Sequence, residues 1–258
     1  MRSERELNER KYSVMDKYGK PSGPLLSHKR EMFEQNGELL QKLTGINNIY
    51  ADQPIRTGCK NCNSNLTSGE QQRFTKTGVT YCVCSVCGHL NGIYEDTEEF
   101  CRIVYTQDSG AEYAENYKVS AVHEYQQRVE DIYRPKAEFL LSSLKEIDEL
   151  PESLSYVDIG GGAGYFVSAM TKEGISNVKG YDVSQTQVEY GNRMLGSTRL
   201  YQLDIDSVER FTRDVQADVV SMIGVLEHLQ TPRNVLKALS ENPTIRYLYL
   251  SVPMFSFT

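Results

Sequence analysis

Hydrophobic and polar positions in the C-terminal half of the chain predict strands and helices that alternate. Short runs rich in β-branched and other apolar residues are typical of buried strands, and apolar residues between them recur at helical spacing. The predicted strands lie at residues 154–159, 178–181, 200–203, 217–222 and 246–251. This alternation is typical of an α/β fold, in which helices cover both faces of a mostly parallel sheet.

Signals for helix ends lie between these strands. Ser184 followed by Gln187 is typical of a capped helix start, and Gly196 is suited to closing that helix. Thr231 before Pro232 predicts another helix start, with the proline at the first position. One helix is therefore expected after the second strand and another after the fourth.

The N-terminal half has a weaker pattern. Apolar residues predict a helix over 27–43 within a polar arm, and two further helices over 123–133 and 136–150 that Pro135 separates. The connector around them is rich in tyrosine, which suits either a ligand mouth or ordinary half-buried packing, because its ring packs while its hydroxyl bonds. These residues are Tyr105, Tyr113, Tyr117, Tyr125 and Tyr133.

Composition limits the classes of function. The chain has 258 residues, of which 39% are hydrophobic, and a formal net charge of −7. An acidic chain is poorly suited to general nucleic-acid binding, because neutralising phosphates needs an excess of lysine and arginine. The N-terminus has no apolar segment typical of a signal peptide, and no apolar run is long enough to span a bilayer. We therefore expect a cytoplasmic protein without membrane or nucleic-acid partners.

The cysteines are arranged as metal ligands. Cys59 and Cys62 form one C-x-x-C pair, and Cys84 and Cys87 form a second beyond a segment that can fold as a hairpin. Two such pairs indicate a four-thiolate zinc site, and four thiolates leave no open coordination position, so the predicted zinc is structural. Unligated thiols are the alternative, with His89 as a replacement ligand if one cysteine fails.

The surroundings of these cysteines refine that prediction. The segment contains few large apolar residues, so a bound metal would supply much of its folding energy. Zinc ribbons often bind nucleic acid, but residues 52–101 carry four basic residues against six acidic ones, which argues against that partner. Cys82 is expected to face away from the metal, and Cys101 resembles a small core residue.

A run of glycines follows the first strand of the C-terminal half. Gly160, Gly161, Gly162 and Gly164 leave bare backbone between a strand and a helix, where a nucleotide can approach and meet free N–H groups. The dinucleotide fingerprint G-x-G-x-x-G does not fit the spacing of these glycines. A glycine-rich turn without a ligand is the alternative to a nucleotide site.

From Asp158 this run reads D-x-G-x-G-x-G, which resembles motif I of the class I S-adenosylmethionine (SAM) methyltransferases. The resemblance implies a Rossmann-like, doubly wound domain over residues 156–258 with SAM as cofactor, bound at Asp158, Gly160, Gly162 and Gly164. An acid at the strand end also suits a cationic ligand better than a phosphate.

Acidic residues follow the next two predicted strands. Asp182 lies 20 residues after Gly162, where nucleotide-binding folds place the carboxylate that binds ribose hydroxyls. A polar turn residue is the alternative. The family resemblance implies that Asp204, with Asp206 as a near alternative, accepts from the adenine amino group, and that Gly224 belongs to the cofactor site.

Glu227 and His228 follow the fourth strand and, together with the upstream cysteine pairs, resemble the sugar C-methyltransferases. That resemblance implies a small-molecule methyl acceptor, such as a nucleotide-linked sugar or a related polysaccharide precursor. His228 suits a general base because its pKa lies near working pH, and Glu227 can orient it or act itself. A helix-start glutamate beside a packing histidine is the alternative.

The sequence therefore predicts four segments. They are a polar arm with a helix at 1–58, a zinc-ribbon-like module at 59–101, a helical connector or lid at 102–155 and the SAM-binding domain at 156–258. The resembled family continues past the fifth strand, so we expect a C-terminally incomplete sheet whose exposed edge favours a homodimer. Two rival functions remain, an NAD(P)-type oxidoreductase and a zinc-ribbon interaction protein with an inactive nucleotide-binding domain.

Overall fold

The computed structural model describes residues 36–68, 71–105 and 122–252, together with residue 23. Residues 27–35 of the predicted N-terminal helix and two connector tyrosines, Tyr113 and Tyr117, lie outside these ranges. None of the helices within the ranges is long and apolar enough to cross a membrane.

The described chain alternates helices and strands through most of its length. The helices are α1 (Asn36–Ala51), α2 (Glu98–Tyr105), α3 (Val122–Arg128), α4 (Arg134–Lys145), α5 (Tyr165–Lys172), α6 (Gln185–Leu195), α7 (Val208–Asp214) and α8 (Pro232–Glu241). The strands are β1 (Gln72–Lys76), β2 (Val79–Val83), β3 (Leu90–Gly92), β4 (Tyr156–Ile159), β5 (Val178–Asp182), β6 (Leu200–Gln202), β7 (Val219–Ile223) and β8 (Tyr247–Ser251). A π-helical turn (Val129–Tyr133) joins α3 to α4, and 3₁₀ turns lie at Pro151–Ser153, Ile205–Ser207 and Leu226–His228.

The cysteine segment forms a small antiparallel sheet in the order β1-β2-β3. A tight turn at Thr77 and Gly78, with φ values of 50° and 81°, reverses the chain between β1 and β2. The hairpin between the cysteine pairs agrees with the sequence prediction. The hydrophobic pattern does not predict β3, because a strand of three residues gives too little alternation to detect.

Helix α1 continues past the predicted end at residue 43 and reaches Ala51. The hydroxyl of Tyr50, near its C-terminus, donates to the carbonyl of Tyr94 (2.7 Å) and accepts from the N–H of the same residue (3.2 Å). This contact with the cysteine segment offsets the low helix propensity of Gly45. The predicted boundary is wrong because it considered only the local sequence.

The connector helices run on through Pro135, although the sequence predicts a break there. In the π-helical turn before α4, the N–H of Arg134 bonds to the carbonyl of Val129, and the proline lies in the first turn of α4. A proline at that position has no helical N–H bond to lose, so the chain continues. Helix α4 then ends at Lys145, earlier than the predicted residue 150, and Asp148 has a left-handed backbone with φ of 60°.

Five parallel strands form the main sheet in the order β6-β5-β4-β7-β8. Successive side chains of a strand point to opposite faces. Tyr156 and Val219 therefore pack on the face covered by α3 to α6, whereas Val157 and Val220 pack on the face covered by α7 and α8. The sheet is covered on both faces, as the sequence predicts, and the central β4 carries the glycine turn to the middle of its carboxyl edge.

The ends of the main-sheet strands agree with the sequence prediction to within about two residues. Ser184 caps α6, since its hydroxyl accepts the N–H of Gln187 (3.4 Å), and Gly196 closes the helix with φ of 64°. The N–H of Ser184 donates to Asp182 (2.9 Å), which takes the place of a reciprocal bond to the Gln187 side chain. Pro232 occupies the first turn of α8, as expected.

Strand β8 lies at an edge of the described sheet. Its alternate side chains Leu248 and Leu250 are 40% and 37% exposed. An exposed apolar edge can pair with another chain, and the homodimer stays a prediction.

Candidate functional site

A cavity of about 900 Å³ opens beyond the carboxyl ends of β4, β5 and β7. It is lined by the glycine turn after β4, by Asp182 at the end of β5 and by the turn that holds Glu227 and His228. Residues of α2 and α3 from the N-terminal part of the chain also line it. Open parallel sheets bind ligands in this position, so the cavity is the candidate functional site.

Three glycines of the turn have conformations that favour glycine. Gly160, Gly162 and Gly164 have φ values of 70°, 52° and 73°, which L side chains rarely adopt. A Cβ on Gly160 would lie 2.3 Å from Val225, and one on Gly164 would lie 2.7 Å from Leu200. A Cβ on Gly162 would meet open space. Gly160 and Gly162 line the cavity as bare backbone, while Gly164 packs at the start of α5.

The carboxylate of Asp182 holds the glycine turn. One carboxylate oxygen accepts the N–H of Gly162 (2.7 Å) and the other accepts the N–H of Ser184 (2.9 Å). Burial raises the pKa of Asp182, and these two hydrogen bonds oppose the rise. The N–H of Val183 is a third donor to this carboxylate. A carboxylate has about four acceptor positions, so acceptor capacity remains for a ligand in the cavity that Asp182 lines.

Asp158 lies at the end of β4 with only 3% of its surface exposed. Its partner is Ser221, opposite it on β7, whose hydroxyl donates to the carboxylate across 2.6 Å. Burial raises the pKa of Asp158 to about 7, and the nearby Asp182 adds to the rise, whereas Ser221 and Lys136 oppose it. Asp158 therefore changes charge near neutral pH at the wall of the cavity.

Helix α3 anchors the other side of the glycine turn. The hydroxyl of Tyr125 donates to the carbonyl of Ala163 (3.0 Å), and its ring stacks on Tyr165 at 4.7 Å. The guanidinium of Arg128 lies 5.2 Å above the Tyr165 ring, and both Arg128 and Lys136 line the cavity. The sequence pattern indicates the tyrosines as candidate site residues but not Lys136, because only the fold brings α4 to the carboxyl edge of the main sheet.

Glu227 and His228 line the cavity on the 3₁₀ turn after β7. The Nε2 atom of His228 lies 4.0 Å from Oε1 of Glu227, and its Nδ1 lies 3.0 Å from the hydroxyl of Tyr105 on α2. Oε2 of Glu227 is buried and has no hydrogen-bond partner in the described part of the chain. Gly224, which precedes this turn, has φ of 69° and donates its N–H to Ser251 (2.7 Å).

The two acids after β6 lie differently with respect to the cavity, and their roles in binding adenine stay a prediction. Asp204 is exposed, and its carboxylate accepts the N–H of Asp206 (3.2 Å), so it starts the 3₁₀ turn and does not line the cavity. Asp206, the alternative, does line the cavity and forms an ion pair with Arg102 of α2. Strand β6 ends at Gln202, one residue before its predicted end, and Asp204 is the cap of the 3₁₀ turn that follows.

Four cysteines of the N-terminal module lie close together. The sulfurs of Cys59, Cys62, Cys84 and Cys87 lie within 4.8 Å of one another, and this group can hold a metal ion. The pairs Cys59–Cys87 and Cys62–Cys84 are 3.6 Å and 3.7 Å apart. Thiolates around a tetrahedral zinc, with bonds of about 2.3 Å, lie about 3.8 Å apart. Cys82 is buried beside the group but is not part of it.

Comparison with known families concerns the C-terminal half of the chain. Residues 125–255, about half of the chain, match the model of a family described as a methyltransferase domain. No curated protein sequence matches the chain at a significant level.

Solved structures with a related fold have low identity to this chain. The magnesium protoporphyrin IX methyltransferase of Synechocystis PCC 6803, solved with bound SAH, is 16% identical, with a TM-score of 0.40 over 57% of this chain and 68% of that one. The amino pentose methyltransferase CalS10 of Micromonospora echinaspora, solved with SAM, is 18% identical, with a TM-score of 0.42 over 54% and 58%. The plantazolicin methyltransferase BpumL, solved with SAH, is 17% identical, with a TM-score of 0.41 over 58% and 52%.

The raised pKa of Asp158 predicts a pH-dependent stability. Its pKa in the folded protein, about 7, lies above the ordinary value of 3.8. The contribution of this carboxyl group to the free energy of unfolding is therefore complete below about pH 4 and is lost as the pH rises through about 7. Urea unfolding should show the unchanged protein losing on the order of a few kcal/mol over this range relative to Asp158→Asn. Asp214→Asn, an exposed change, should keep the pH dependence. Equal pH profiles for the unchanged protein and Asp158→Asn would contradict the assignment.

Proposed function

The chain belongs to the methyltransferase-domain family, and we propose that it transfers the methyl group of SAM to a small polar molecule, either a nucleotide-linked sugar or a related polysaccharide precursor. One observation carries the proposal. A single cavity joins the glycine turn and Asp182 to the hydrogen-bonding side chains Glu227, His228 and Tyr105. The family membership favours this function over an NAD(P)-type oxidoreductase.

The end of the cavity at the glycine turn fits the donor. Asp182 keeps acceptor capacity for a ribose hydroxyl, and the open space at Gly162 lets a ligand approach the backbone. Apolar side chains of Val183, Leu203 and Ile205 line the same cavity and suit the faces of an adenine ring.

The charged groups at this end suit a methionine moiety. Arg128 and Lys136 can meet its carboxylate, and the ionised form of Asp158 is suited to its positive groups. When bound, SAM supplies an electrophilic methyl group on a sulfonium. The residues of the chain then have to hold the acceptor in line with that methyl and take up a proton.

The other end of the cavity suits a polyhydroxylated acceptor. Glu227, His228, Tyr105 and Gln230 line it with hydrogen-bonding groups. The buried Oε2 of Glu227 has no partner in the described chain, and an acceptor hydroxyl would supply one. Partial burial lowers the pKa of His228, and Lys60 adds to this effect, whereas Glu227 opposes it. The lowered pKa favours the neutral imidazole, which can accept a proton.

We also infer that the four-cysteine group binds a structural zinc ion. The sulfur separations fit a tetrahedral site, and four thiolates leave no open position for chemistry. The module around it buries few apolar side chains, so a bound metal would supply much of the free energy that stabilises its fold.

Elemental analysis tests the zinc site. The purified protein should contain about one zinc per chain, and Cys62→Ser should lose it because three thiolates bind far more weakly than four. Cys82→Ser is the matched control and should retain the metal, since Cys82 lies outside the group. A metal-free unchanged protein, or full zinc content in Cys62→Ser, would disprove the site.

Calorimetry with SAM tests the donor site. Asp182→Ala should weaken binding by about 10- to 100-fold, because two charge-assisted hydrogen bonds and the support of the glycine turn are lost. Asp204→Ala should keep an affinity for SAM within about twofold of that of the unchanged protein, because the carboxylate of Asp204 bonds within its own 3₁₀ turn. Unchanged affinity in Asp182→Ala would refute this donor site, and a large loss in Asp204→Ala would restore the role predicted from sequence.

A panel of acceptors tests the substrate class. The protein is incubated with SAM and with sugar nucleotides, free sugars, a porphyrin and a short peptide, and mass spectrometry detects added methyl groups. We expect methylation of a sugar nucleotide, with a rate lowered by about 100-fold or more in Glu227→Gln. Methylation confined to the porphyrin or the peptide would overturn the proposed acceptor.

A further inference from the structure

We propose that Tyr105 is a further residue of the reaction centre, which donates its hydroxyl proton to Nδ1 of His228 and relays the proton of the acceptor to that nitrogen. This inference rests on the proposed function for its effect on rate. The predicted position of the proton on His228 does not depend on the identity of the acceptor and can be tested without one.

The geometry connects three side chains in a row. Nδ1 of His228 lies 3.0 Å from the hydroxyl of Tyr105, and the two rings meet at 66° with their centres 5.8 Å apart. On the opposite side of the imidazole, Nε2 lies 4.0 Å from Oε1 of Glu227. All three side chains line the same cavity.

The chemistry of these groups decides which nitrogen carries the proton. A neutral imidazole has one N–H and one lone pair, and an ionised carboxylate can only accept. Oε1 of Glu227 is too far from Nε2 for a hydrogen bond at 4.0 Å, but its negative charge favours the proton on that nitrogen, which leaves a lone pair on Nδ1. A tyrosine hydroxyl can donate or accept, so Tyr105 donates to Nδ1.

This arrangement has a consequence for proton transfer. The basic nitrogen of His228 lies behind the hydroxyl of Tyr105, so the acceptor proton passes to the oxygen of Tyr105 while the tyrosine proton passes to Nδ1. With SAM bound, the deprotonated acceptor atom would take the methyl group that SAM supplies, and the bond between that methyl and the sulfonium would break. The imidazolium that forms faces the carboxylate of Glu227, which stabilises it.

The N-terminal part of the chain holds Tyr105 in place. Glu98, Cys101 and Tyr105 occupy one face of α2 and line the cavity together. Arg102 of the same helix pairs with Asp206. These contacts make α2 a wall of the reaction centre.

The cysteine module also reaches the turn that carries His228. Lys60 lies between the cysteines of the first pair, and its ammonium donates to Asp96 (2.6 Å) and to the carbonyl of Glu227 (3.4 Å). The charged groups around His228 are thus Glu227 on its own turn and Lys60 and Asp96 from the module.

Nuclear magnetic resonance tests the protonation state directly. In ¹⁵N-labelled protein with SAH, the imidazole of His228, assigned by its loss in His228→Asn, should show the Nε2–H form. Tyr105→Phe should change the Nδ1 shift, because the hydrogen bond to that nitrogen is removed. Tyr81→Phe, on β2 of the cysteine module, should leave it unchanged. An Nδ1–H form in the unchanged protein, or no change in Tyr105→Phe, would overturn the proposal.

Steady-state kinetics with an acceptor that the unchanged protein methylates test the proton relay. Tyr105→Phe should lower kcat by about 100-fold or more and leave the affinity for SAM unchanged. The double variant with His228→Asn should be no slower than His228→Asn alone, because the two residues act as one unit. Losses that multiply, or full activity in Tyr105→Phe, would refute the relay. Absence of methyl transfer to every sugar acceptor by the unchanged protein would instead contradict the proposed function and leave the resonance result standing.

Discussion

The bond between the carboxylate of Asp182 and the N–H of Gly162 is the contact on which the candidate site depends. A turn of four glycines loses much conformational entropy when it is ordered, and its own side chains cannot hold it. Asp182 ties this turn to the end of β5, while Tyr125 ties it to α3 through the carbonyl of Ala163. The backbone is thereby fixed with open space in front of Gly162, which is the condition for a ligand to approach it closely.

The cavity combines parts from both halves of the chain. The main sheet supplies the glycine turn, the acids at the strand ends and the turn with His228, whereas α2 and the cysteine module supply Tyr105, Arg102 and Lys60. We infer from this division that the cysteine group has a role beyond local stability. A loss of order in the module would release Lys60 from the carbonyl of Glu227 and Tyr105 from His228, so the proposed zinc would support the reaction centre from a distance.

Local sequence explains the features that local forces determine. Short apolar runs predict the strands of the main sheet, and a single side-chain hydrogen bond explains the cap at Ser184. The spacing of the two C-x-x-C pairs predicts that the four cysteines lie together. Contacts between distant parts of the chain could not be predicted in this way. The extension of α1 depends on Tyr50 meeting Tyr94, and the pairing of Tyr105 with His228 joins residues more than one hundred positions apart. The family resemblance implied Asp204 or, as the near alternative, Asp206, and only the fold shows that Asp206 is the one that lines the cavity.

A crystal structure of the 258-residue chain with SAH would show whether the donor binds at the glycine turn. We expect the ribose hydroxyls to lie within hydrogen-bond distance of Asp182 and the amino acid part to cross the bare backbone at Gly160 and Gly162, with the sulfur directed toward Glu227 and His228. An SAH molecule bound elsewhere, or one whose ribose makes no contact with Asp182, would contradict the proposed donor site.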